Sequence, residues 1–282
     1  MTSGTLYICA TPIGNLEDIS ARVLDTLRAA DLIAAEDTRH SLGLLTHYGI
    51  RRPMISYHEH NKIERAEELI GRLRAGENVA LITDAGTPVI SDPGEVLVRA
   101  AKDAGIPVTS LPGPCALITA LTVSGLPARR FVFEGFLPME NKERRKVLDE
   151  LKREQRTILL YEAPHRLRKT LGELAETLGQ ERKICLCREL TKIHEEAPLM
   201  TLAEAADLYR ENEPRGEYVL VLEGKSKAEM EEERTARWES RTPAEHLADF
   251  MARGQSKKEA MKAMAAEFGI SKSEIYALLN KE

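Results

Sequence analysis

An aspartate at the end of a short apolar segment is the residue whose setting most suggests chemistry. Asp84 follows Val79–Ile82, a run that is typical of a buried parallel strand. Residues 83–94 then contain two glycines and two prolines, a composition that opposes regular structure. In open α/β sheets, ligands bind at the carboxyl ends of the strands. The pattern therefore predicts a ligand site containing Asp84 rather than an ordinary connection, which would span only a few residues.

Two further loops rich in proline and glycine follow predicted strands. Residues 11–15 (Thr-Pro-Ile-Gly-Asn) come after the strand Leu6–Ala10, and residues 111–114 (Leu-Pro-Gly-Pro) end the strand Val108–Leu111. We expect these loops and the Asp84 loop to meet at one edge of a sheet. The dinucleotide motif G-x-G-x-x-G and the P-loop motif are absent from these strand ends, which argues against NAD and ATP.

The order of the predicted elements indicates an α/β protein with several parts. Strands and helices alternate through residues 1–124, which predicts a parallel sheet covered on both faces. A second α/β domain with a mixed sheet is expected at 125–224, followed by a linker at 225–241 that contains an acidic run. Residues 242–282 form a third, helical unit that resembles a helix-turn-helix. This unit either docks on RNA or is a simple three-helix packing unit.

The overall composition limits the class of protein. Of 282 residues, 43% are hydrophobic and 30% are charged, which is typical of a globular protein, and the net charge of -5 argues against indiscriminate binding of nucleic acid. No window approaches the roughly 18 apolar residues of a membrane span, and the N-terminus does not resemble a signal peptide. The four cysteines form no C-x-x-C pair. We therefore expect buried thiols, no bound metal and a cytoplasmic location.

Several long motifs in this chain resemble those of one protein family. The three loops above resemble the loops of the tetrapyrrole methylase superfamily. A narrower similarity joins the chain to the ribosomal RNA branch, which methylates the ribose 2'-oxygen of a decoding-centre cytidine in the small subunit. The segments that carry it are 36–39 (EDTR), 58–61 (HEHN), 133–138 (FEGFLP), 161–166 (YEAPHR) and 188–196 (RELTKIHEE).

The resemblance implies a fold, a cofactor and a set of binding residues. It implies two α/β domains with S-adenosylmethionine in the cleft between them, and a homodimer. The cofactor-binding residues that it implies are Pro12, Gly14, Asp84, Ala85, Gly86, Val89, Cys115, Ala116 and Glu162. The donor brings its own electrophilic methyl group, so the protein needs neither a metal nor a nucleophile.

The acceptor, a ribose hydroxyl, needs polarisation, and RNA needs positive charge around it. The resemblance makes Asp37, His58, Glu59 and His60 the acid–base candidates, with no single base identifiable. The candidates for RNA binding are Arg39, Lys142, Arg144, Arg145, His165, Arg166, Arg188 and Lys192. The basic cluster at 142–146 alternates with acidic residues, so a solvated helix face is nearly as good an interpretation.

Three functions are compatible with these features of the sequence. The first is methylation of ribosomal RNA, for which the expected partner is the small-subunit RNA or the assembled subunit. The second keeps the cofactor but changes the acceptor to a tetrapyrrole or a protein residue. The third is a non-catalytic ribosome-binding factor. The basic rim expected around the cleft favours RNA, and the intact cofactor loops favour an enzyme.

Overall fold

The first sheet of the computed structural model, which describes residues 2–280, is entirely parallel. Its strands lie in the order β3-β2-β4-β1-β5. Their bounds are β1 Leu6–Cys9, β2 Leu32–Ala35, β3 Met54–Ser56, β4 Val79–Ile82 and β5 Val108–Leu111. Strands β2 and β4 are buried at every position, as their continuous apolar sequences predict for a sheet covered on both faces. The parallel sheet predicted from the alternating pattern is confirmed.

Five helices belong to this first half of the chain. They are α1 Ala21–Ala29, α2 Thr38–His47, α3 Lys62–Arg74, α4 Gly94–Asp103 and α5 Ala116–Val123. Helix α1 begins where predicted, because the Ser20 hydroxyl accepts a hydrogen bond from the backbone N–H of Val23. Separate apolar clusters on the two faces of the sheet contain Leu69 and Leu97 on one side and Leu27 and Leu45 on the other. The helices therefore cover both faces.

The second sheet is mixed, as predicted, and has the order β6-β7-β10-β8-β9. Its strands are β6 Phe131–Phe136, β7 Thr157–Glu162, β8 Lys183–Arg188, β9 Leu199–Thr201 and β10 Tyr218–Leu222. Only β6 and β7 are parallel, and β10 runs antiparallel between β7 and β8. The helices α6 Asn141–Leu151, α7 Pro164–Leu178 and α8 Leu202–Glu211 accompany this sheet.

The chain divides into two compact units, and the second begins at Gly224. This unit contains α9 Lys227–Glu239, α10 Pro243–Ala252, α11 Lys257–Phe268 and α12 Lys272–Leu279. Each of these four helices begins with a capping box, in which a Ser or Thr and a Glu three residues later satisfy one another's backbone N–H groups. Among residues 2–280, no helix has both the length and the apolar character to cross a membrane.

The structure corrects the predicted linker at 225–241. Most of this segment is helix α9, and its Trp238 stacks on His246 with ring centroids 5.1 Å apart. Trp238 also packs against the apolar cluster that contains Phe250 and Phe268. Residues 225–241 are therefore an integral part of the helical unit. The strands β3 and β9 and the helices α2 and α8 were also not predicted from the sequence.

The three loops rich in proline and glycine do meet at the carboxyl ends of adjacent strands β4, β1 and β5. Thr11 and Gly86 exchange backbone hydrogen bonds of 2.8 and 3.1 Å, which form an isolated antiparallel bridge. The Thr87 hydroxyl donates to the carbonyl of Pro114 at 2.8 Å. These contacts, which we call the loop tie, join the 11–15, 83–94 and 111–114 loops into one structure.

Close approach of Gly113 to Ala10 provides a test of how tightly this edge is packed. A Cβ atom on Gly113 would lie 2.7 Å from the Cβ of Ala10, which is fully buried. Gly113→Ala should therefore lower the free energy of unfolding by about 1–3 kcal/mol through overpacking. Adding Ala10→Gly removes the clashing atom and should restore part of this loss. Denaturant titrations of the two single variants and the double variant measure the coupling, and additive losses would contradict the clash.

Candidate active site

A cavity of about 610 Å³ lies where the two α/β halves of the first unit face each other. From the first half it is lined by the Asp84 loop, by Ile13 and by the start of α5. From the second half it is lined by Phe136, by residues 161–165 and by parts of β8 and β10. Parallel strand ends therefore form one wall and a mixed sheet forms the other, so a ligand here would contact both halves.

Three carboxylates from the first half lie along this cavity: Glu36, Asp84 and Asp92. Asp84 accepts a hydrogen bond from the backbone N–H of Asp37 at 3.1 Å. Burial raises the pKa of Asp84, and the negative charges of Glu36 and Asp37 raise it further. Burial, followed by the charge of Glu36, also raises the pKa of Asp92. This wall is therefore short of positive charge and suits a cationic ligand.

One oxygen of Asp92 makes no hydrogen bond of normal geometry with the described residues, although the backbone N–H of Val89 also acts on this carboxylate. Its Oδ1 accepts from the N–H of Gly94 at 2.7 Å, whereas its buried Oδ2 has no hydrogen-bond partner among residues 2–280. A buried acceptor without a partner is unfavourable unless a ligand or water satisfies it. The structure therefore presents an acceptor for a hydroxyl or ammonium group at this cavity.

Backbone strain concentrates in the loops beside the cavity. Val89 and Ser91 have φ angles of 81° and 63°, and Glu189 and Thr191 have φ angles of 51° and 67°. These are the only residues other than glycine with positive φ in the described part of the chain. Such conformations are unfavourable by about 1–3 kcal/mol each and are common at ligand sites. The strained residues therefore lie in two loops, 83–94 and 189–191, that also contribute to the cavity lining.

The predicted cofactor residues divide into two groups. Asp84, Ala85, Gly86, Cys115, Ala116 and Glu162 line the cavity. Pro12, Gly14 and Val89 do not line it. Pro12 is buried, and Val89 packs against the core of the first half. A Cβ on Gly14 would lie 2.4 Å from Cγ of Lys192, so this glycine instead allows the two halves to approach closely.

Glu162 lines the cavity, but its carboxylate is already used within the second half. It accepts hydrogen bonds from the Thr170 hydroxyl and, at 2.9 Å, from the N–H of Ala163. Arg166 pairs with it at 3.4 Å and also donates to the carbonyl of Leu137 at 2.5 Å. Glu162 therefore holds β7, α7 and the segment after β6 together, and Arg166 belongs to the same network.

None of the four acid–base candidates lines the cavity. Asp37 caps α2 and pairs with Arg39 at 3.0 Å. The hydrogen bond from Arg39 lowers the pKa of Asp37 to about 2, which makes it a weak base. Glu59 pairs with Lys62 at 2.5 Å, and the His58 and His60 rings lie 6.0 Å apart in the turn after β3. His58 Nε2 lies 3.3 Å from the Asn61 side-chain amide, whereas its buried Nδ1 has no partner among residues 2–280; His60 is exposed.

The predicted RNA-binding residues differ in how accessible they are. Lys142, Arg145 and His165 are exposed, and the Arg39 side chain is 91% exposed although it pairs with Asp37. Arg188 pairs with Glu196 at 2.9 Å, and Lys192 pairs with Glu189 and Glu217 at 2.9 and 3.1 Å. Because each of these two cations is paired with carboxylates of the second half, its charge is largely neutralised.

The prediction that Arg144 binds RNA is wrong. The residue is only 4% exposed, and its guanidinium contacts Glu173 at 2.6 Å and the Thr170 hydroxyl at 2.8 Å. The basic cluster was read as one surface, but helical geometry turns Arg144 towards α7 and leaves Lys142 and Arg145 outside. Thr83 and Asp92 lie in the predicted ligand loop and Phe136 beside the predicted basic cluster, but the sequence assigned no individual role to them or to Glu36; all four line the cavity.

Comparisons with known proteins agree with this arrangement of two halves around a cavity. Residues 5–206 match the model of the family described as Tetrapyrrole (Corrin/Porphyrin) Methylases. The chain belongs to this family. Members are methyltransferases, and the cavity described above lies within the matched region and its continuation into β10.

Two curated relatives are similar over nearly their whole length. The chain is 48% identical over 275 residues to "Ribosomal RNA small subunit methyltransferase I" of Synechocystis sp., a match that covers 98% of this chain and 97% of that protein. It is 46% identical over 273 residues to the protein of the same name from Bacillus subtilis, with 97% and 93% covered.

Solved structures of other methylases share the fold. The crystal structure of diphthine synthase matches with a TM-score of 0.60 and 16% identity, covering 79% of this chain and 91% of that one. Uroporphyrin-III C-methyl transferase from Thermus thermophilus, complexed with S-adenyl homocysteine, matches with a TM-score of 0.56 and 20% identity, covering 78% and 97%. The predicted α/β fold, with two sheets, is therefore confirmed.

Two neighbouring arginines on α6, one buried and one exposed, provide a test of the structural role of Arg144. Arg144→Met should lower the free energy of unfolding by about 2 kcal/mol, because Thr170 and the partly exposed Glu173 lose their buried partner. Arg145→Met, at an exposed position on the same helix, should change it by less than about 0.5 kcal/mol. Urea titrations of both variants make the comparison, and equal losses would show that Arg144 has no special structural role.

Proposed function

We propose that this chain methylates the ribose 2'-oxygen of a cytidine in the decoding region of small-subunit ribosomal RNA. The observation that carries the proposal is the near-complete coverage, in both directions, of relatives named as ribosomal RNA small subunit methyltransferases. The cavity between the halves supports it, because it offers a built site for the methyl donor and includes the exposed His165 in its lining.

The methyl donor is S-adenosylmethionine, which supplies an electrophilic methyl group on a positively charged sulfur. The residues present fit such a molecule. Asp84 and the free Oδ2 of Asp92 are suited to accept hydrogen bonds from its ribose hydroxyls or its ammonium group. Ile13, Ile90 and Leu190 provide apolar contact area, and Gly86 permits close approach of the backbone at φ 85°.

The chain's own contribution to the reaction is to orient the ribose hydroxyl and to accept its proton. Holding two reactants in a near-attack geometry can lower a barrier by roughly 7–11 kcal/mol, so orientation alone accounts for much of the rate. A base would add about 10²–10⁴-fold. None of the predicted candidates Asp37, His58, Glu59 and His60 lines the cavity; we favour His58, because its buried Nδ1 lacks a partner within the described residues, which a substrate hydroxyl would supply if the turn after β3 moved.

The exposed basic side chains are the ones that can contact RNA. Lys142, Arg145 and His165 are exposed, and Arg39, although it pairs with Asp37, is exposed at the start of α2. The helical unit adds Lys257, Lys258, Lys262 and Lys272, all exposed, which support a role in docking on the substrate. The residues that line the cavity lie within 13–219.

A methyl-transfer assay tests the proposed reaction directly. Small ribosomal subunits that lack their native modification are incubated with the protein and labelled S-adenosylmethionine, and the RNA is digested to nucleosides. A labelled 2'-O-methylcytidine is expected. Label on a base, or cofactor binding without transfer to subunits or stripped RNA, would overturn the assignment and direct attention to a tetrapyrrole or protein acceptor. Absence of cofactor binding would instead indicate a non-catalytic ribosome-binding factor.

Two variants extend the same assay. His58→Gln should reduce transfer at unchanged cofactor affinity, and an unchanged rate would remove His58 as the base. A chain that ends at Glu223 should bind cofactor normally but transfer methyl groups poorly at low subunit concentration; full activity would exclude docking by the helical unit. A homodimer and a cytoplasmic location also remain proposals, which sedimentation velocity and cell fractionation test.

Asp84 offers a prediction in which binding and stability change in opposite directions. Its raised pKa means that folding disfavours the ionised form, so Asp84 destabilises the cofactor-free protein once the pH exceeds its unfolded pKa. Asp84→Asn keeps the acceptor oxygen for Asp37 N–H but removes the charge. It should therefore raise the free energy of unfolding at neutral pH while weakening cofactor binding.

Calorimetric titration and denaturation at several pH values check this prediction. In the original protein, cofactor affinity should fall with decreasing pH earlier than an ordinary aspartate would cause, because protonation of Asp84 begins at a higher pH. In Asp84→Asn this part of the pH dependence should disappear. An unchanged affinity would remove Asp84 from the site.

A further inference from the structure

Phe136 is a large aromatic side chain left half exposed at the edge of the active-site cavity. It is 49% exposed and lines the cavity. One side of its ring packs on Tyr161, with centroids 5.6 Å apart, and Tyr161 packs edge-on against Phe133 at 4.9 Å. Phe136 is thus the outermost of three aromatic rings in contact, supported from behind and open in front.

A β-bulge is what directs Phe136 to this position. In β6, Phe133 pairs with Leu159, but Phe136 pairs with Tyr161, so three residues of β6 match two of β7. Leu159 and Tyr161 lie on one face because they are two residues apart. Phe133 and Phe136 are three residues apart and share that face only because of the extra residue. Without the bulge, Phe136 would point away from the cavity.

The backbone at the bulge is built for close contact with the first half. Gly135 has a φ of 73°, and a Cβ there would lie 3.2 Å from Oγ of Ser91. Ser91 itself has a positive φ of 63° and lines the cavity. The bulge therefore packs against the Asp84 loop, which places Phe136 at the junction of the two halves.

The chain continues from Phe136 into the exposed basic part of α6. Met139 follows at 76% exposure, and then Lys142 and Arg145 on the first turns of the helix, both exposed. An exposed aromatic ring followed within a few residues by exposed cations suits single-stranded RNA, where bases stack on rings and cations neutralise phosphates.

We propose that Phe136 is the stacking platform for the nucleobase of the target nucleotide, and so positions its ribose at the cavity. The inference rests on the proposed function, because it requires an RNA acceptor. Enzymes that react with a base turn its nucleotide out of the stack to bring it into a pocket, and a ribose that must enter a cavity between two protein halves meets a similar steric barrier. The unstacked base then needs a replacement surface, and the exposed face of Phe136 provides it beside the cofactor site.

Substitutions that separate ring stacking from apolar volume test the proposal. Phe136→Leu keeps an apolar side chain but removes the ring, whereas Phe136→Trp keeps an aromatic face. Phe133→Leu is the matched control, since Phe133 lies in the same strand and touches the same Tyr161 but does not line the cavity. Methyl transfer is measured over a range of subunit concentrations, together with cofactor affinity and thermal stability.

Loss of the stacking face should act on the RNA substrate alone. For Phe136→Leu we expect a roughly 10- to 100-fold fall in kcat/KM for the subunit, in line with the loss of one stacked base, with cofactor affinity and melting temperature unchanged. Phe136→Trp should remain close to the original protein, and so should Phe133→Leu.

The other outcomes are distinguishable from one another. Equal losses in Phe136→Leu and Phe133→Leu would show that the ring only supports the core. Weaker cofactor binding in Phe136→Leu would show that it covers the cofactor instead. Normal transfer by Phe136→Leu would remove it from RNA recognition, and each of these results overturns the proposal. Absence of transfer by the original protein would mean that the proposed function itself is wrong.

Discussion

The loop tie between Thr11 and Gly86 is the constraint on which the site depends. Asp84, Asp92 and the strained residues Val89 and Ser91 all lie in one loop, which would have many conformations if only its ends were fixed. Ordering such a loop opposes folding by about 1–2 kcal/mol per residue. Each of the three hydrogen bonds of the loop tie stabilises the folded protein by only about 1 kcal/mol. The loop is therefore held by its packing against neighbouring loops, and the tie selects the conformation in which the carboxylates face the cavity.

That conformation brings like charges together. Burial and mutual repulsion among Glu36, Asp37 and Asp84 raise the pKa of Asp84, so the cofactor-free site stores unfavourable electrostatic energy. A positively charged ligand relieves both the repulsion and the unsatisfied acceptor on Asp92. Affinity for a cationic donor and instability of the free site are then two consequences of the same arrangement. This explains why a protein would keep acidic side chains at the end of an otherwise apolar sheet.

The sequence predicted features that depend on local pattern and missed those that depend on strand register or on which face of a helix is buried. The loop around Asp84 was predictable because a buried strand, glycine and proline mark it within a few residues. Phe136 was not, because a single extra residue in β6 reverses the alternation that a sequence reader assumes. Arg144 was misassigned since charge alone does not reveal which side of α6 packs on α7. The helix at 227–239 was predictable, because Ser226 and Glu229 have the spacing of a capping box; its acidic composition instead suggested a linker.

The distribution of charge decides how this protein can recognise RNA. Arg144, Arg166, Arg188 and Lys192 are committed to partners inside the second half, which leaves few free cations near the cavity. With a net charge of -5, the chain also lacks a general attraction for phosphates. Binding energy from counterion release scales with the number of phosphates neutralised, and the exposed cations available for it, such as Lys142 and Arg145, lie outside the cavity lining. At the cavity itself, recognition then depends on shape and, under the proposal above, on stacking on an exposed ring. A site built in this way favours a substrate whose target nucleotide is already presented by surrounding structure over free RNA of arbitrary sequence.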